Sequence, residues 1–206
     1  GKSGYVNVYE LRDNDWELIG KSIKEFPNGV FDIGRGVHLS NDGQTLMLLG
    51  SINLKDDASS GSSFIRVVRK KNGEWVPMGE DILASINYDD YGVSAHATLS
   101  GDGKTLAVTG SYSQFFAKLY QFNKKSSNWA ENVIPPPNCN TDDDLENMDD
   151  DGLDFFYGCY FSGHDIAVNS AATFVAVAGI SYGSSGDEIA MVRVLSKDVA
   201  TGNFTL

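Results

Sequence analysis

The sequence predicts an all-β fold built of four-stranded blades of the β-propeller type, an incomplete set of about three blades and a half. Three observations carry that expectation: a hairpin phrase written twice, a recurring tryptophan segment, and no helical periodicity of useful length. The phrase LSNDGQTLMLLG, Leu39 to Gly50, returns as LSGDGKTLAVTG at Leu99 to Gly110, and a degenerate copy, DIAVNSAATFVAVAGIS, fills 165–181. Sixty residues separate Ser40 from Ser100 and 69 separate Ser100 from Asn169, the longer interval absorbing an acidic insertion at 139–159.

In chain order, YVNVYEL (5–11) alternates apolar and polar residues, the pattern of a strand with one buried face, and Trp16 follows in NDWELIG. A loop of Gly, Asn, Asp and Pro leads to an inner strand, then Asn41-Asp42-Gly43, where a tight turn needs residues that tolerate positive φ. The second unit repeats this order with FIRVVRK (64–70), Trp75 and Gly101-Asp102-Gly103. The third has AKLYQF (117–122), Trp129 and the copy in which NSAAT replaces the Asp-Gly turn. A fourth start, IAMVRVL (189–195), leads to NFTL. The expected repeats are therefore 4–63, 64–116, 117–188 and a partial 189–206, each Trp segment supplying an outer strand. A β-sandwich is the competing architecture, but sandwiches rarely repeat themselves so plainly.

A net charge of −12 makes nucleic acid an improbable partner, because phosphates are repelled along most of the surface. No run of 18 apolar residues offers a membrane-spanning helix. The opening GKSGYVNVYE lacks Met and already reads as a strand, so the chain is expected to be a processed or incomplete piece of a longer product. Propellers close with about four to eight blades. Three and a half leave open edges, which a longer chain or protein partners are expected to cover.

The pattern VxVY…W…G…LS.DG.TLA.G resembles tandem propeller repeats of secreted and cell-surface proteins from microalgae and marine bacteria. More distantly it is similar to FG-GAP and WD-repeat-like blades. The resemblance implies a propeller; such families host adhesion, scaffolding and occasional catalysis.

The strongest local signal is the acidic run CNTDDDLENMDDDGLDFFYGC. Asn147, Asp149 and Asp151 fit the spacing N-x-D-x-D-G, which suits calcium, a hard cation taking oxygen ligands. The carboxylate expected at loop position twelve is replaced by Gly158, and Asp154 serves only by a different wrap; the plain alternative is a solvated acidic loop. Cys139 and Cys159 flank the run as a disulfide or as two unrelated thiols. Asn203 opens a glycosylation sequon, and with the cysteines it points to an extracellular or secretory (lumenal) compartment.

No catalytic residue emerges from the sequence. There is no G-x-S-x-G, and neither the pair Ser94 and His96 nor His164 beside Asp165 brings a third orienting group. His38, His96 and His164 fall two, four and five residues before Ser40, Ser100 and Asn169, so they are not equivalent positions and read as structural rather than as zinc ligands. Gly103-Lys104-Thr105 mimics a phosphate loop but precedes a strand, not a helix. The acidic turns at 31–34 and 88–92 are read as shaping loops. The expected function is thus a non-catalytic propeller module making protein contacts in a larger assembly. A calcium-dependent module, with a glycan as a candidate ligand, ranks second and a propeller enzyme last.

Overall fold

The computed structural model describes residues 4–53, 61–84, 95–110, 117–134, 160–182, 188–198 and 204–205. They form β-strands and turns, with no helix among the described residues. A two-stranded ribbon, β1 (Tyr9–Arg12) and β2 (Asp15–Leu18), comes first. The first large sheet has the order β3 (Val30–Leu39), β4 (Thr45–Asn53), β5 (Gly61–Lys71), β6 (Glu74–Pro77), and β7 (Ile82–Ala84) also pairs with β5. Then come β8 (Ala95–Leu99), β9 (Thr105–Gly110), β10 (Ala117–Asn123) and β11 (Asn128–Ile134), and finally β12 (Tyr160–Val168), β13 (Phe174–Tyr182), β14 (Glu188–Lys197) and β15 (Phe204–Thr205). Every pairing is antiparallel and, apart from β5 with β7, joins chain neighbours, the meander of a propeller blade.

The hydrogen-bonded sheets are offset from the sequence units. Each opens with the strand before a Ser-Asp-Gly turn (or its Asn169 counterpart), and the first two close with the Trp strand of the following unit. This offset couples the units, because no unit completes one of the three large sheets from its own strands.

The repeated phrase exists to build one hydrogen-bonded knot. Ser40 Oγ donates to Asp42 Oδ1 at 2.6 Å and accepts from Thr45 N at 2.9 Å, while Asp42 Oδ1 accepts from Gln44 N at 2.9 Å. Ser100, Asp102, Lys104 and Thr105 repeat it at 2.6, 2.9 and 3.0 Å. In the third copy one side chain replaces two: Asn169 Oδ1 accepts from Thr173 N at 2.7 Å and Phe174 N at 3.0 Å. The three turns also join one another, through Asn41 N to Gly101 O at 2.8 Å, Asp102 N to Ser170 O at 3.0 Å and Asn41 Nδ2 to Ser170 Oγ at 3.0 Å.

The second strand of each sheet is its most buried, as expected of a strand flanked on both sides. Met47, Leu49, Ile65 and Val67 of the first sheet pack against Leu99, Leu106, Val108 and Tyr120 of the second. Ala107 and Leu119, on the opposite face of the second sheet, meet Ile166, Val175, Val177 and Leu195 of the third. Burying each such aliphatic side chain contributes about 1.5–3 kcal/mol. The tryptophans clip neighbouring sheets at the outer edge: Trp129 Nε1 donates to Met78 O at 2.6 Å and Trp75 Nε1 to Ile19 O at 3.1 Å. Trp16 differs, lying 69% exposed.

Candidate functional site

With the second strands buried, the open chemistry falls on the inner strands β3, β8 and β12, of which β8 lies against the other two. They carry Arg35 and His38, His96 and Thr98, and His164 and Asp165.

Two irregularities aim these side chains. On β3 the register breaks between Phe31 and Gly36, and Arg35 sits within the break. On β12 it shifts between Gly163 and Asp165, leaving His164 as the extra residue. Bulges of this kind bend a strand and turn a side chain away from the alternation that a flat pleat imposes. Gly163 lets β12 approach the second sheet, since a Cβ there would collide with the side chain of Thr109.

Arg35 Nη2 donates to Ser63 Oγ at 3.3 Å and to Ala95 O at 3.5 Å, and the same Ser63 Oγ accepts from Ala95 N at 3.2 Å. These contacts tether the guanidinium between the first and second sheets while leaving it largely exposed. His38 Nδ1 lies 3.2 Å from Thr98 Oγ1, a second bond between β3 and β8. His96 is half-buried, and burial is the main cause that pushes its pKa below the ordinary 6.5. Asp165 opposes that shift, whereas Arg35 and His164 add to it, so all three charges act on one imidazole. The arrangement joins a neutral base, a fixed cation and a carboxylate, the ingredients of acid–base work on an anionic or carbonyl substrate.

Asn147, Asp149, Asp151 and Asp154, the bridge candidates Cys139 and Cys159, the sequon residue Asn203, and Ser94 lie outside the described residues. Among the described residues no three His, Cys, Asp or Glu side chains come together as a metal site. The histidines correct the sequence reading in another way. Unequal offsets from the turns do not keep them apart, because the bulge on β12 takes up the extra residue and brings His164 to the electrostatic neighbourhood of His96. An interrupted alternation, GHDIAV in place of a clean two-residue period, is the signal that could have found them.

No family model matches the sequence, and no curated relative does. Solved structures do resemble it. A candidate 6-phosphogluconolactonase of Bacteroides uniformis matches with a TM-score of 0.50 and 10% identity over 98% of this chain and 47% of that one. The periplasmic gluconolactonase of Pseudomonas aeruginosa gives 0.44 and 15% over 97% and 46%, and TolB from Acinetobacter baumannii 0.40 and 15% over 97% and 36%. The chain thus spans less than half the length of each. The all-β, propeller-type fold stands. The expectation of a non-catalytic module, and the exclusion of an enzyme with it, is overturned: the first of these structures is a candidate lactonase on the same fold, so a propeller gives no ground for setting catalysis aside. A motif search reads contiguous residues, whereas Arg35, His96 and Asp165 stand on three different strands.

Proposed function

We propose that the chain contributes the reacting centre of a propeller hydrolase acting on a small anionic lactone, with His96 as general base and Arg35 as anion holder. The observation that carries this reading is the half-buried imidazole of His96, whose charging is disfavoured by burial and which feels Arg35, Asp165 and His164. A base that is neutral near pH 7 can take a proton from water as the water oxygen bonds to the lactone carbonyl. Arg35 faces the resulting oxyanion or the substrate's own charge. When the tetrahedral centre collapses, the ring carbon–oxygen bond breaks and the proton passes from His96 to the departing alkoxide. Asp165 favours the transient imidazolium. The substrate class follows the candidate lactonase that shares the fold, of which this chain covers 47%.

The affinity with FG-GAP or WD-repeat-like blades belongs to the same reading and rests on the two Ser-x-Asp-Gly turns. A secreted or lumenal location, a calcium-holding loop at 142–154, and protein partners completing the ring are proposed with it, on the sequence features already described. The decisive experiment follows lactone opening by pH-stat with δ-gluconolactone and its 6-phosphate, above the spontaneous rate. His96→Ala is expected to lower kcat/KM by about 10²–10⁴-fold with the fold intact. No rate above the spontaneous one, or full activity in the variant, removes the proposal.

A further inference from the structure

We infer that the cleft between the first and second sheets, at the turn end of the molecule, binds a small organic anion carrying an apolar group. It is separate from the inner-strand cluster and does not rest on the proposed hydrolase. The cleft encloses about 580 Å³. Its cations are Arg69 and Lys70 from one sheet and Lys104 and Lys124 from the next; its carboxylates are Asp42 and Asp102. The local balance is therefore positive in a chain whose net charge is −12.

The carboxylates are already engaged. Asp42 is held by Ser40 Oγ and Gln44 N, which draws its pKa below the usual carboxylate value, and Asp102 by Ser100 Oγ and Lys104 N. Lys104 Nζ stands 3.6 Å from Asp102, whereas Arg69, Lys70 and Lys124 make no ion pair among the described residues. The back of the cleft is fixed by the bond from Asn41 N to Gly101 O, so the two walls are held in place without a ligand.

The fold does not require this charge. Lys70 N to Gln44 O, Phe122 N to Lys104 O and Lys197 N to Thr173 O are the same bond in three successive sheets. By that register Gln121 answers to Arg69, and Thr173 to Lys104. The corresponding place between the second and third sheets thus has neither of those two cations; Lys197 stands there in the place of Phe122, and the third turn is closed by Asn169 instead of a Ser-Asp pair. Guanidinium and ammonium donors suit phosphate or carboxylate, and Pro77, Met78 and Phe122 beside them offer an apolar surface.

The test is an NMR titration of the 15N-labelled chain with inorganic phosphate and with phenyl phosphate, at ionic strength held constant with sodium chloride. Saturable shifts confined to the amides of 69–70, 103–104 and 122–124 are expected, with phenyl phosphate the tighter of the two. The double variant Arg69→Gln, Lys124→Gln is expected to raise Kd at least tenfold, and His96→Asn to leave it unchanged. Shifts that never saturate or spread over the surface, equal affinity for the two probes, or an unaltered Kd in the double variant would overturn the inference. The map on the unaltered chain decides by itself if the double variant does not fold.

Discussion

At the scale of single residues, the turns show how one backbone requirement can carry two different penalties. Gly43 and Gly103 occupy the same place in two copies of the turn, with φ of +65° and +69°. A Cβ on Gly43 meets nothing within 4 Å, but on Gly103 it would lie 2.7 Å from Thr45 Oγ1 and 2.9 Å from Thr45 Cβ. Gly43→Ala therefore carries backbone strain alone, about 1 kcal/mol. Gly103→Ala adds overpacking against a buried neighbour, for a total of about 2–4 kcal/mol. Ala172, at φ +53° in the third copy, shows that the strain by itself is tolerated. Urea unfolding of the two variants measures the difference; equal losses would mean that the turns of neighbouring sheets do not press on each other.

At the scale of strands and sheets, the tryptophans give a graded series. Trp129→Phe keeps most of the ring but removes the donor to Met78 O, and about 1 kcal/mol is expected to go with it. Trp75→Phe should cost about the same through Ile19 O, and Trp16→Phe less than about 0.5 kcal/mol, since that ring is largely exposed. Thermal melts of all three settle the order. A second link is the fork of Arg66, whose Nε and Nη2 each reach Asp81 at 2.6 Å while Nη1 reaches Glu25 O at 2.6 Å. With side chains only 13% and 24% exposed, the pair is sheltered, so Arg66→Ala is expected to destabilise by about 2–3 kcal/mol, and Arg66→Lys, which cannot fork, by nearly as much. This is also the scale at which the sequence speaks most clearly. FIRVVRK, the Asp-Gly turns and the spacing of Trp75 and Trp129 all report local backbone geometry, so the order of strands was legible; YVNVYEL misled, since only Tyr9–Arg12 is a strand and Tyr5, Tyr9 and Leu11 are exposed instead of forming a buried face. Arg35, His164 and Asp165 were not, because a bulge changes which way a side chain points without changing composition, and only the assembled sheets show that Arg35 of β3 and Asp165 of β12 act on one imidazole of β8. The basic cleft was hidden for a related reason: Arg69 and Lys104 look like ordinary solvated charges until two sheets bring them together.

For the molecule as a whole, acid pits two effects against each other. The net charge of −12 declines towards the pI near 4.5, which relieves self-repulsion and favours the folded state as pH falls from 7. His96 works in the opposite sense. Its folded pKa is lowered, so its contribution is complete above the unfolded value of 6.5 and is lost as pH falls through the folded value, the unfolded chain taking up the proton first. The groups that face it divide: Arg35 and His164 make the charged imidazole harder to form, and Asp165 eases it. Asp42 enters at lower pH, its contribution complete above the ordinary 3.8 and lost below it, as Ser40 and Gln44 give up a carboxylate acceptor. Comparing the unaltered chain with His96→Asn cancels the global charge effect and isolates the imidazole. The melting temperature of the unaltered chain is expected to fall relative to that of the variant between about pH 6.5 and 5. The two should run parallel above pH 7.5. A difference that stays constant across the whole range would mean that His96 is as free to protonate in the folded protein as in the unfolded one, and the proposed role of its half-buried imidazole would have to be given up.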